Sequence, residues 1–143
     1  MKRIVFVLIF ALTMTIAANA QVKGKQPVFP PGASTAGPYT PAIVANGFVF
    51  VSGQIGTGDT FEAQLESVIT NVENVLKASG SSLDHVVKTT VFLADMNDFN
   101  KLNEIYMKRL KAPYPARSTI QVARLPRDAK VEIEVIALVG DKK

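Results

Sequence analysis

The sequence predicts an α+β domain in which two helices cover one face of a single mixed sheet, in the order ββαβαββ. Three observations carry that expectation. Two stretches repeat apolar residues at three- and four-residue steps, the period of a helix with one buried face. Five shorter runs are rich in β-branched and aromatic residues. The chain has 143 residues, enough for one domain with a real core and too few for two.

Met1-Lys2-Arg3 is basic, Ile4 to Ile16 is apolar apart from Thr13 and Thr15, and Ala18-Asn19-Ala20 is a small-x-small site before Gln21. These are the three regions of a signal peptide, residues 1–20, and the apolar run is shorter than the roughly 20 residues that span a bilayer. The expectation is export to the periplasm or outside the cell, leaving one domain, 21–143. Cleavage there removes Lys2 and Arg3 and lowers the formal charge from +4 to +2. The chain has no cysteine, so disulfides and lipid attachment through cysteine are excluded. A near-neutral mature chain carries no electrostatic footprint for nucleic acid.

Val22 to Pro38 holds four of the eight prolines and three glycines, and predicts an extended or looped arm rather than a regular element. Pro41–Ala45 and Phe48–Gly53 flank Asn46-Gly47, whose tolerance of positive φ predicts a tight hairpin turn. Asp59 to Ser79 predicts a helix with Phe61, Leu65, Val68, Ile69, Val72, Val75 and Leu76 inward, Asp59 as cap and Gly80 as stop. Val86–Ala94 is apolar enough for a central strand. A second helix runs from Asn97 or Asp98 to about Leu110, with Phe99, Leu102, Tyr106 and Leu110 inward and Pro113 and Pro115 beyond its end. Lys108, Arg109 and Lys111 read as a solvated cationic helix end.

Two further strands, Ala116–Arg124 and Lys130–Val139, read as adjacent. The face away from the helices would show Arg117, Thr119, Gln121, Glu132 and Glu134 with Ile136 and Leu138. A face so mixed predicts burial against other subunits, with pockets where polar groups gather. A guanidinium fork binds a carboxylate bidentately, and a nearby carboxylate can orient water. Arg117 and Glu132 could therefore hold an anionic substrate and a water without metal or cofactor, or form a structural ion pair between neighbouring strands. One histidine and no cysteine exclude a zinc site, and Gly53-Gln54-Ile55-Gly56-Thr57-Gly58 lacks the Gly-Lys-Ser/Thr of a phosphate loop. His85 reads as a surface residue at the start of a strand, and Glu134 as a residue that meets another subunit or Arg124.

The chain resembles the Rid (YjgF) family of reactive-intermediate deaminases. The resemblance rests on Pro115-Ala116-Arg117-Ser118 through Ala123-Arg124-Leu125-Pro126 to Val131-Glu132-Ile133, and on Gly37-Pro38-Tyr39, Val51-Ser52-Gly53-Gln54, Val87 to Leu93 and Met96-Asn97-Asp98-Phe99. It implies a chorismate-mutase-like fold and a homotrimer with sites between subunits. The implied reaction is hydrolysis of 2-imino acids and their 2-enamino tautomers, such as 2-aminoacrylate, to 2-keto acids and ammonia. It further implies that Arg117 binds the substrate carboxylate, that Glu132 positions the attacking water, and that Tyr39, Gly53, Asn103 and Thr119 line the pocket, with no cofactor. Two departures stand out. The segment from Ile55 to Thr60 is about seven residues shorter than in common members, and Thr119 stands where many have cysteine. A non-catalytic carboxylate-binding or chaperone-like trimer is the alternative function, and ribonuclease activity a third.

Overall fold

In the computed structural model, which describes residues 24–33 and 37–140, the elements are β1 (Gln26–Val28), β2 (Ala42–Ala45), β3 (Phe48–Ile55), α1 (Phe61–Ala78), β4 (Val86–Leu93), α2 (Phe99–Arg109), β5 (Ala116–Gln121) and β6 (Val131–Leu138). Residues 1–20, read above as a signal peptide, lie outside the described residues. Among the described residues, no helix is long and apolar enough to cross a membrane.

The fold is the expected α+β arrangement with one addition. Part of the proline-rich arm forms β1, which pairs antiparallel with β2 at Gln26–Val44 and Val28–Ala42. The unpaired edge of β2 supplies backbone partners that composition does not reveal. Asn46 and Gly47 both take positive φ, 50° and 80°, and close the β2–β3 hairpin as expected. The sheet order is β1-β2-β3-β6-β4-β5. β4 runs antiparallel to β6 and parallel to β5, with α2 making the crossover that a parallel pair requires.

β5 and β6 are therefore not adjacent, as the sequence reading had them: β4 lies between them. β4 is central, yet it buries only one face completely, with Thr89, Val91 and Leu93 inward.

α1 buries the same seven residues that periodicity selects. Leu65, Leu76, Leu93 and Leu102 are fully enclosed, and truncating a leucine in such a setting costs about 2–5 kcal/mol. Thr60, not Asp59, caps α1: its Oγ1 accepts the Ala63 N–H at 3.1 Å. Gly80, at φ 72°, follows the helix end as expected. Arg109 is half-buried rather than solvated. It reaches across to Glu66 and Glu73 on α1 and ties the two helices together. Arg124 pairs with Asp128, leaving Glu134 on the face away from the helices.

Candidate functional site

Backbone register decides which polar residues can meet. Directly paired residues point to the same side of a sheet. Arg117 pairs with Thr89 and Thr119 with Val91, both inward positions, so Arg117, Thr119 and Gln121 face the helices. Glu132 pairs with Phe92 and Glu134 with Thr90, on the opposite side. The expectation that all five share the open face is corrected for the three on β5. Pattern alone misassigned them, because neither face of β5 is continuously apolar: Ile120, outward, is 46% exposed. Within one chain Arg117 and Glu132 stand on opposite faces of non-adjacent strands, which excludes a structural ion pair between neighbouring strands.

Arg117 is held by α2. Its Nη2 donates to Asn103 Oδ1 at 2.6 Å. Its guanidinium carbon lies 4.8 Å from the centre of the Tyr106 ring and 5.6 Å from that of Phe99. Both distances are within the range in which a cation is attracted to a ring face. The Tyr106 hydroxyl donates to Thr89 Oγ1 at 3.0 Å. Burial pushes the Tyr106 phenol up from its ordinary pKa, outweighing Thr89 and Arg117, so the stack is neutral ring against cation. Among the described residues no carboxylate comes within ion-pair distance of Arg117. A guanidinium has five N–H donors, so an oriented fork is left with donors to spare. Two positions along, Thr119 Oγ1 is buried without a hydrogen-bond partner, at a desolvation cost of about 1–3 kcal/mol unless something supplies one.

Glu132 belongs to a second cluster. A Cβ built on Gly53 would overlap its carboxylate, so a larger residue there would displace the Glu132 side chain from its present position. Burial, and then the like charge of Glu134, raise the Glu132 carboxyl above the ordinary glutamate pKa. The carboxylate opens onto a cleft of about 780 Å³ at the end of β3, bounded by the arm at Pro30–Ala33 and by Asn71 and Asn74 of α1. Tyr39 stands at this cleft, its hydroxyl accepting from Gln54 Nε2 at 2.7 Å. Gln54 is fixed in turn by the Ser52 carbonyl at 2.8 Å.

The structure thus gathers Tyr39, Gly53 and Glu132 into one half-site, and Arg117 and Asn103 into another, with Thr119 beside them on β5. It does not join the halves within one chain. The sequence reading missed the stack of Tyr106 and Phe99 and the support from Thr89. Phe99, Asn103 and Tyr106 share one face of α2, and a lone asparagine inside that apolar stripe is the signal that could have found them.

The Endoribonuclease L-PSP family model matches residues 31–139. Reactive Intermediate Deaminase A, chloroplastic, from Arabidopsis thaliana is 53% identical over 109 residues, covering 71% of this chain and 58% of that protein. The human 2-iminobutanoate/2-iminopropanoate deaminase is 44% identical over 113 residues, covering 73% of this chain and 82% of that protein. The crystal structure of RidA from an Antarctic Psychrobacter superimposes with a TM-score of 0.75 at 38% identity, covering 80% of this chain and 99% of that one.

Proposed function

The chain belongs to the Rid (YjgF) family of reactive-intermediate deaminases, and from that premise we propose that it hydrolyses 2-imino acids, and their 2-enamino tautomers, to 2-keto acids and ammonia. The observation that carries the reading is Arg117: a guanidinium stacked on Tyr106, bonded to Asn103 and lacking a carboxylate partner. Such a group is set to take the carboxylate of a small acid. Glu132 orients the water and accepts one of its protons as the oxygen bonds to C2 and the C=N π electrons move to nitrogen. It returns that proton to nitrogen. As the C–N bond breaks and ammonia leaves, the hydroxyl oxygen becomes the keto C=O and gives its proton to Glu132, which passes it to solvent. The protonated imine is already electrophilic, so positioning supplies much of the acceleration.

The two halves meet between subunits of a homotrimer in this proposal, Arg117 of one facing Glu132 of the next. Support comes from their opposite faces and from Phe48, Phe50, Ile120 and Leu138, four apolar side chains 39–46% exposed on the open face of the sheet. His85 is bonded to Ser82 at 2.9 Å and lines neither half-site, which favours deamination over RNA cleavage.

The test is the pH dependence of imine hydrolysis. The imine is made in situ by an amino-acid oxidase and scored by competition with semicarbazide. A general base must be ionised, so kcat/KM rises with pH through the Glu132 pKa, at a pH above that of an ordinary glutamate. Glu134→Gln removes the like charge and moves this acid limb to lower pH. A limb indifferent to Glu134→Gln would mean that another group limits the rate, and no loss of semicarbazide adduct with wild type would refute the activity itself.

Export to the periplasm or outside the cell is part of the same proposal. It rests on the basic start, the apolar run and Ala18-Asn19-Ala20. Mass analysis of the mature chain is expected to give Gln21 as the first residue. An intact Met1 on secreted material would refute cleavage.

A further inference from the structure

In one chain the Glu132 cleft measures about 780 Å³, within the range of about 300–1,000 Å³ typical of pockets for drug-sized ligands, before the neighbouring subunit that brings Arg117 takes its share. The linker from β3 to α1 is only residues 56–60, and the cleft mouth lies open beside it. The side-chain end of the site is thus a feature to be read rather than a leftover.

One lining residue has no evident structural duty. Among the described residues, Arg127 is the only basic side chain lining the cleft and Glu132 the only acidic one. It makes no hydrogen bond or ion pair among the described residues. The acid beside it, Asp128, is already committed to Arg124 through bonds of 2.6 and 3.1 Å.

The backbone holds Arg127 in place at a cost. Its φ and ψ are 57° and 26°, and Asp128 follows at φ 54°. Left-handed conformations cost residues with a Cβ about 1–2 kcal/mol each. Leu125 and Ala129, at the two ends of the turn, are 7% and 6% exposed, and Pro126 has its φ fixed by its ring, so the turn is anchored on both sides.

We propose that Arg127 is a specificity-determining residue that binds an anionic group on the substrate side chain, making imines of acidic amino acids, the 2-imino dicarboxylates, the preferred substrate class. This rests on the imine-hydrolase reading and deepens it. Arg117 takes the carboxylate next to the reacting carbon, Glu132 serves that carbon, and Arg127 takes the second carboxylate through the same fork geometry. Two cations at the ends of the site also offset the repulsion between a dianionic substrate and Glu132.

The experiment compares kcat/KM for 2-iminosuccinate, generated by a D-aspartate oxidase, with kcat/KM for the leucine-derived imine, generated by a D-amino-acid oxidase, in the full chain. The expected result is that wild type prefers the dicarboxylate. Arg127→Gln should lower the acidic-to-neutral ratio by about 10- to 100-fold, with Arg127→Lys keeping an intermediate ratio. Light scattering of each variant reports assembly. A wild-type preference for the neutral imine, or a ratio unchanged in Arg127→Gln, overturns the assignment. So does dissociation of Arg127→Gln, which would make Arg127 an interface residue. Failure of wild type on both imines overturns the underlying activity instead, so the two failures are told apart.

Discussion

Arg117→Ala is expected to abolish imine hydrolysis, slowing it by about 30- to 1000-fold, as loss of roughly 2–4 kcal/mol of transition-state stabilisation implies. Arg117→Lys is expected to rescue poorly. A lysine ammonium is a point charge without the planar fork, and it cannot keep both the Asn103 contact and the stack on Tyr106 in one geometry. The fold should survive either change, because Arg117 lies on an edge strand and offsets no buried carboxylate. Steady-state kinetics with semicarbazide competition, paired with thermal unfolding, separates the outcomes. If Arg117→Ala instead lowers Tm while the folded fraction keeps full activity, Arg117 is structural and the site lies elsewhere.

That test follows from a feature that the sequence conveyed only in part. Periodicity identified all seven buried residues of α1, because its apolar stripe is continuous and nothing else competes for it. Asn46-Gly47 was equally legible, since few dipeptides accept two successive positive φ angles. The helix cap was misplaced by one residue, a choice between Asp59 and Thr60 that either side chain could satisfy chemically. The larger error was in the sheet. Sequential strands are often neighbours, so β5 and β6 read as a pair, whereas β6 pairs with β3 and β4, and β4 separates it from β5. Such pairing is set by distant hydrophobic faces and leaves no local mark. The parity of β5 was similarly hidden: Arg117, Thr119 and Gln121 alternate with Ala116, Ser118 and Ile120, and neither set is apolar enough to declare itself inward. Tyr39, Gly53, Glu132, Asn103 and Arg117 were therefore legible as candidates, through the motif that carries them, while their separation into two clusters on two faces was not.

That separation leads to the most discriminating result to expect. Arg117→Ala and Glu132→Gln each leave one half-site intact and should each be nearly inactive alone. Co-expressed, they are expected to assemble into the proposed trimer as mixtures, in which some sites draw Arg117 from a Glu132→Gln subunit and Glu132 from its Arg117→Ala neighbour. With random assembly at equal amounts, each intact half is supplied with a chance of one half, so about a quarter of wild-type activity should return. Mass analysis of the purified assemblies confirms that mixed trimers are present. Recovery on this scale cannot come from sites built within one chain, since every chain in the mixture lacks one of the two groups. Mixed trimers no more active than their parents would show that Arg117 and Glu132 do not serve one reaction across an interface. The opposite-face geometry would then reflect two unrelated roles. The experiment reads the assembly and the chemistry together, and it does so on surfaces that register alone assigns: Arg117 with Thr89 inward, Glu132 with Phe92 outward.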